Sequence, residues 1–123
     1  MLLQSNFYTV QSSHIDASTL QSTILINPDH QIFEGHFPGQ PVVPGVCMIQ
    51  IIKELVEQYL SFPVQLHAAA QVKFLQLLVP DQHKEITVQI NFKDPVDDEY
   101  NIAASFIQSE KAIMKMNGKF SKK

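Results

Sequence analysis

The chain has 123 residues, a mass of 13.9 kDa, a net charge of −3 and a hydrophobic content of 45%. This length predicts one domain with one core, and it excludes a doubly wound nucleotide-binding enzyme or a barrel. The negative net charge and the absence of arginine argue against a nucleic acid partner, because no positive field would attract a phosphate backbone.

The charge content and the single cysteine predict a subunit interface and a cellular compartment. Charged residues make up 17% of the chain, against about 25% in typical soluble domains, which favours a buried subunit interface over a glutamine-rich monomer. Cys47 is the only cysteine, so we expect a reduced, cytoplasmic protein. No stretch approaches the ~20 apolar residues of a membrane span, so we expect no membrane association.

The first elements in chain order are two predicted strands. Residues 6–13 and 20–27 are rich in β-prone side chains, and the second stretch ends at an Asn-Pro-Asp turn signal. The Ser/Asp-rich residues 12–18 between them are expected to form the connection.

A loop and a helix are predicted next. Residues 35–45 read GHFPGQPVVPG, and their three prolines and three glycines exclude a helix or a central strand. Val46–Leu60 contains neither residue type and predicts a helix that is entered at Pro44. Its first half is apolar nearly all round, which indicates burial on most sides, and its second half has a polar face of Lys53, Glu54, Glu57 and Gln58.

The rest of the chain is predicted to be strands. They are expected at 64–79, 85–92, 100–108 and 112–120, separated by Pro, Asp and Ser/Glu/Lys turn signals. The whole chain, 1–123, is therefore expected to be a single α+β domain. Its antiparallel sheet of about six strands must wrap around the one long central helix, since nothing else can cover that helix.

The proline-stiffened loop is the segment best suited to chemistry. Its prolines fix the backbone at three points, so the loop can hold His36 in one position. Gly45 opens the helix, where a free backbone N–H at the positive end of the helix dipole could polarise a carbonyl oxygen. A rigid connector with an incidental histidine explains the same residues equally well.

The loop also resembles a known family. His36–Val46 matches the motif His-Phe-Pro-Gly-x-Pro-x-x-Pro-Gly-Val at every fixed position, and Lys73-Phe74 and Val79-Pro80-Asp81 look like the strand that follows. These features resemble the 3-hydroxyacyl-acyl-carrier-protein dehydratases of the hot-dog fold, over residues 6–120. The short N-terminus looks closer to the dehydratase-like proteins of aryl-polyene-type pathways.

The resemblance implies a homodimer or a dimer of dimers, with active sites at the interface and an acyl carrier protein as partner. His36 would take the α-proton of a 3-hydroxyacyl thioester, and the Gly45 amide would bind the thioester oxygen. The acid that protonates the departing hydroxyl lies fourteen residues after the histidine, where this chain has Gln50. The remaining residues expected to contact substrate are Phe37, Pro44, Val46 and Glu54. No cofactor and no metal are expected.

Gln50 leaves three interpretations open, because a carboxamide has no proton of useful acidity. His36 serves as both base and acid, or Glu54 supplies the proton directly or through a water, or the chain binds acyl groups without dehydrating them. The leading hypothesis is dehydration to trans-2-enoyl thioesters in fatty-acid or polyene-type biosynthesis. The alternatives are a non-catalytic acyl-binding or partner subunit and, third, an acyl thioesterase.

Two further features have plain structural explanations. Cys47 lies next to the helix start, where the helix dipole could lower the thiol pKa, but a small core residue is the expected role. Ala68–Ala70 are expected to be packing residues that leave room for an acyl tunnel beside the helix.

Overall fold

The computed structural model describes residues 3–34, 41–81 and 83–123. Within these ranges, no helix is long and apolar enough to cross a membrane. The described residues form six β-strands, one short 3-10 helix and one α-helix. In chain order these elements are β1 (Tyr8–Asp16), β2 (Thr19–Ile26), the 3-10 helix (Gln31–Phe33), α1 (Gly45–Leu60), β3 (Val64–Phe74), β4 (Ile86–Phe92), β5 (Glu99–Gln108) and β6 (Lys111–Lys122).

The six strands form one antiparallel sheet in the order β1-β2-β4-β5-β6-β3. Strands β5 and β6 form a hairpin whose turn residues, Ser109 and Glu110, both have positive φ, as the tight turns that suit strand twist require. The strand that follows α1, β3, lies at the far edge beside β6. The α+β architecture predicted from the sequence is confirmed, and β4, β5 and β6 begin and end within two residues of their predicted bounds.

The first hairpin differs from the prediction of a loop over residues 12–18. Strand β1 continues to Asp16, which pairs with Thr19, and the turn between them has Ala17 at a φ of 54°. These polar residues can form a strand because β1 lies at the edge of the sheet, and its residues beyond Val10 remain exposed to solvent. A bulge between Val10 and Ser12 shifts the register in the same strand.

Helix α1 packs its apolar residues into the concave side of the sheet. Pro44 is the N-cap, and at the other end the Ser61 N–H donates to the Glu57 carbonyl oxygen at 2.8 Å. The buried helix residues Cys47, Met48, Ile51, Ile52, Leu55 and Val56 belong to one core cluster with alternate residues of β2, β4, β5 and β6. A sheet wrapped around one helix, as the sequence predicted, therefore encloses the core.

Two helix residues depart from the predicted burial. Val46 was expected on a buried surface but is 73% exposed, so the protein's own sheet leaves this face of the beginning of α1 uncovered. Glu54 was expected on the polar face but is only 3% exposed. Its burial is possible because the N-terminal segment packs over it and supplies hydrogen-bond donors.

Strand β3 ends at Phe74 rather than at the predicted Val79. The Leu75 N–H still reaches the Ile113 carbonyl oxygen at 2.8 Å, but the chain then leaves the sheet edge. The Val43 N–H donates to the Leu78 carbonyl oxygen at 2.8 Å, so this segment instead runs against the end of the proline-rich loop. The contact brings the loop and the exit of β3 together at the start of α1.

Candidate active site

A groove of about 440 Å³ lies at the start of α1. It brings together three of the predicted site residues, Pro44, Gly45 and Val46, and its walls are almost entirely apolar. The other lining residues are Val42, Val43, Met48, Phe74, Gln76, Leu77 and Leu78. The groove has the size and the chemistry of a small-molecule site that accepts an aliphatic chain.

Gly45 is the point where the helix backbone meets this groove. A Cβ atom at this position would lie 2.5 Å from Cζ of Phe74 and 2.9 Å from its Cε1, so only glycine lets the ring pack against the helix start. The first amides of a helix have no intrahelical acceptor, and they lie at the positive end of its dipole. The Gly45 N–H is therefore suited to bind a carbonyl oxygen on which negative charge develops.

Several apolar side chains around the groove are exposed. We define the apolar patch as Val46, Phe74, Leu75, Leu77 and Val79, each of which is more than half exposed. Val46, Phe74 and Leu77 line the groove itself, and the other two flank it in sequence. Exposed apolar side chains beside a groove are typical of a protein interface or a binding site.

Gln50 and Glu54 follow Val46 on the same helix face, one and two turns further along. Gln50 Nε2 donates to Glu54 Oε2 at 2.9 Å. The same Oε2 accepts the Leu3 N–H at 2.7 Å, and Oε1 accepts the Gln4 N–H at 2.9 Å and the Tyr8 hydroxyl at 3.0 Å. The Glu54 carboxylate thus holds both the N-terminal segment and the Gln50 amide.

Burial and the neighbouring Glu54 charge raise the pKa of the Tyr8 phenol well above its ordinary value. Tyr8 is therefore a neutral donor to Glu54. Burial also raises the pKa of the Cys47 thiol. Because Cys47 is fully buried, the structure confirms the core role predicted for it.

We expect Tyr8→Phe to lower the free energy of unfolding by about 1.5–3 kcal/mol, because the buried carboxylate loses a donor. Because the folded state raises the phenol pKa, Tyr8 contributes stability that is complete below its ordinary pKa of about 10 and falls as the pH rises above it. Urea unfolding measured from neutral to alkaline pH should show that Tyr8→Phe loses less unfolding free energy at alkaline pH than the wild type does. Tyr59→Phe, which is outside the Glu54 cluster, is the control. An equal alkaline loss in wild type and Tyr8→Phe would contradict the assignment.

The other predicted site residues have different outcomes. His36 and Phe37 lie outside the described residues. Ala68–Ala70 are exposed on β3 and pair with β6, so the prediction that they pack beside the helix is wrong. Their bulged edge strand turns them outward instead.

Sequence reasoning missed the residues that surround Glu54 and part of the groove. Leu3, Gln4 and Tyr8 reach Glu54 across some fifty residues of sequence, and no local pattern signals such a contact. Leu78 lines the groove through its pairing with Val43. Phe74 could have been predicted as a groove residue, because the Lys73-Phe74 pair is part of the resemblance to the dehydratase family.

Comparison with known proteins gives consistent matches. The family model of ApeI-like dehydratases, described as ApeI dehydratase, matches residues 11–115. The 3-hydroxyacyl-[acyl-carrier-protein] dehydratase FabZ of Clostridium acetobutylicum is 31% identical over 93 residues, which are 69% of this chain and 64% of that protein. This chain thus spans less than two thirds of the length of that relative.

Solved structures share the fold. The dehydratase heterocomplex ApeI:P from Xenorhabdus doucetiae matches with a TM-score of 0.74 and 19% identity, covering 92% of this chain and 96% of that chain. A hypothetical thioesterase with coenzyme A from Streptococcus pneumoniae matches with a TM-score of 0.66 and 10% identity, covering 97% and 90% of the two chains. These likenesses confirm the predicted hot-dog fold. With the family model matching most of its length, the chain belongs to the ApeI-like dehydratase family.

Proposed function

We propose that the chain dehydrates 3-hydroxyacyl thioesters on an acyl carrier protein to trans-2-enoyl thioesters, in fatty-acid or polyene-type biosynthesis and without a cofactor. The observation that carries the proposal is the helix start at Gly45, which lies at the end of the His36–Val46 motif and opens into an apolar groove. The FabZ relative, named as a dehydratase of this substrate class, supports it.

In the proposed reaction, His36 removes the proton from the α-carbon of the thioester. The electron pair moves toward the thioester carbonyl, whose oxygen the Gly45 N–H stabilises as negative charge develops. The pair then forms the carbon–carbon double bond as the bond to the 3-hydroxyl oxygen breaks. The protonated His36 returns its proton to that oxygen, which leaves as water.

The contacts of Glu54 favour this one-base mechanism over Glu54 as the acid. Two backbone N–H groups, the Tyr8 hydroxyl and the Gln50 amide occupy the carboxylate oxygens. These donors hold the carboxylate against the N-terminal segment and the Gln50 amide, and Glu54 is not among the residues that line the groove. We therefore propose that His36 both takes and returns the proton.

The experiment that tests the proposal incubates the pure protein with a panel of 3-hydroxyacyl and trans-2-enoyl carrier thioesters and follows the products by mass. Interconversion of the two thioesters with loss or gain of one water is expected. Release of the acyl chain would favour the thioesterase hypothesis. Tight binding of the thioesters without any conversion would favour the non-catalytic subunit.

Gln50 at the acid position is the specific observation that keeps a partner subunit as the second candidate. The structural match to a dehydratase heterocomplex adds support, although at 19% identity it shows only the fold. In that case the chain would be inactive alone and would change the rate or chain-length preference of an active homologue. Assaying the homologue with and without this chain separates the two candidates.

We also propose that the chain forms a homodimer or a dimer of dimers through the apolar patch and the β3 edge. Light scattering at micromolar concentration should give at least twice the mass of 13.9 kDa. Leu77→Lys should shift the protein toward monomer, because Leu77 is 78% exposed in the patch. Ile15→Lys, at an exposed position on the opposite edge strand β1, is the matched control. A monomeric wild-type protein would contradict this proposal.

Two other expectations remain proposals. The described residues share one sheet and one core, which supports a single domain over 1–123. The cytoplasmic location expected from the lone cysteine stays a prediction.

A further inference from the structure

The groove at the start of α1 has a floor and a rim that differ in burial. Three of its lining residues are buried, and we call them the groove floor: Val43, Met48 and Leu78. The exposed side chains that the groove shares with the apolar patch form its rim. An acyl chain that enters past the rim therefore meets the floor.

Two of the floor residues belong to backbone that is held in place. The Val43 N–H donates to the Leu78 carbonyl oxygen at 2.8 Å. Pro44 follows Val43, and its ring fixes its own φ, which is −63°. The Val43 side chain is β-branched and has few rotamers. This part of the floor has little freedom to move away from a ligand.

Met48 is the adaptable part of the floor. It follows Gly45 by three residues on α1, which is about 4.5 Å along the helix axis. Helical side chains lean toward the N-terminus, so the Met48 side chain lies against the turn that begins at Gly45. The side chain is unbranched, and it belongs to the core cluster. A shorter side chain at this position would deepen the groove toward the core.

We propose that Met48 is the specificity-determining residue that limits the length of the acyl chain. This inference rests on the proposed function, because it takes the Gly45 N–H to bind the thioester oxygen, which places the first acyl carbons within one helical turn of Met48. Each methylene that the groove buries should tighten binding about fourfold. Methylenes that would extend beyond Met48 should add no affinity.

The test measures Kd by isothermal titration calorimetry for 3-hydroxyacyl pantetheine thioesters of four, six, eight and ten carbons. It uses the full chain carrying His36→Ala, so that no ligand is turned over. In this parent protein, affinity should rise with chain length up to one member of the series and then stop rising. We call that chain length the break point.

Variants in the same background separate groove depth from stability. Met48→Ala removes three side-chain heavy atoms, so the break point should move to a chain that is longer by about two to four carbons. Met116→Ala is the matched control, because Met116 is equally buried in the core cluster but does not line the groove. It should lower stability and leave the break point unchanged. If circular dichroism shows that Met48→Ala is unfolded, Met48→Val decides, since it shortens the side chain by two atoms and keeps an apolar branch in the core.

The outcomes distinguish the inference from the function on which it rests. A break point that moves to longer chains in the folded Met48 variant and stays in Met116→Ala supports the inference. An unchanged break point in the folded Met48 variant, an equal move in Met116→Ala, or no break point in the parent protein would overturn the role of Met48 and leave the dehydratase proposal intact. Binding of none of the four ligands by the parent protein would overturn both.

Discussion

His36→Ala is expected to lower kcat/KM for dehydration by about 10²–10⁴, the usual effect of losing a positioned general base. The effect should approach the upper end of that range, because in the proposed mechanism the same imidazole both removes the α-proton and returns it to the leaving hydroxyl. The initial rate of enoyl thioester formation, followed by mass, measures the loss.

His67→Ala is the matched control for this prediction. His67 is exposed on β3 and hydrogen-bonds to the Ser121 hydroxyl, next to the bulge between Leu66 and Ala68. Its loss should change stability only slightly and leave kcat/KM within a small factor of wild type. Full activity in His36→Ala would refute the assignment of the base.

Gln50→Glu is expected to raise dehydration activity by about 10²-fold, because it places a carboxylic acid where the resemblance puts the general acid of the family. Two causes should raise the pKa of the new carboxyl group at this position, namely the partial burial of the position and the neighbouring Glu54 carboxylate. The new carboxyl would lie where Gln50 Nε2 now contacts Glu54 Oε2 at 2.9 Å, and two carboxylates at such a distance cannot both be ionised. The pair should share one proton near neutral pH, and the pH profile of kcat/KM should gain a falling limb.

The double variant Gln50→Glu/Glu54→Gln tests the origin of that limb. Removing the Glu54 charge removes the like-charge repulsion, so the pKa of the new carboxyl should fall and the falling limb should move to lower pH. An identical profile in the single and the double variant would mean that Glu54 does not act on position 50. A single variant without a falling limb would mean that the new carboxyl is not the acid.

The sequence predicted the elements whose signals are local. The helix was placed to within one residue because Pro44 and the Ser61-Phe62-Pro63 break delimit a stretch without glycine or proline. The polar part of the first hairpin was missed because edge position, rather than composition, decides whether Ser and Asp can be strand residues.

The candidate site was predicted where its residues are adjacent in the chain and missed where they meet through the fold. Pro44, Gly45 and Val46 are consecutive, and they do share one groove. The helical pattern assigned Glu54 to the solvent face, since it contains no information about the N-terminal segment that packs there. Val46 has the pattern of a core residue but is exposed, which fits the proposal that a second surface covers the patch.

The pH dependence of kcat/KM for the unmodified protein tests the one-base mechanism most directly. With His36 as the single titrating catalyst, kcat/KM for a 3-hydroxyacyl carrier thioester should rise through the pKa of a histidine, ordinarily about 6.5, and then stay level. A bell-shaped profile whose falling limb disappears in Glu54→Gln would contradict the account and identify Glu54 as the acid.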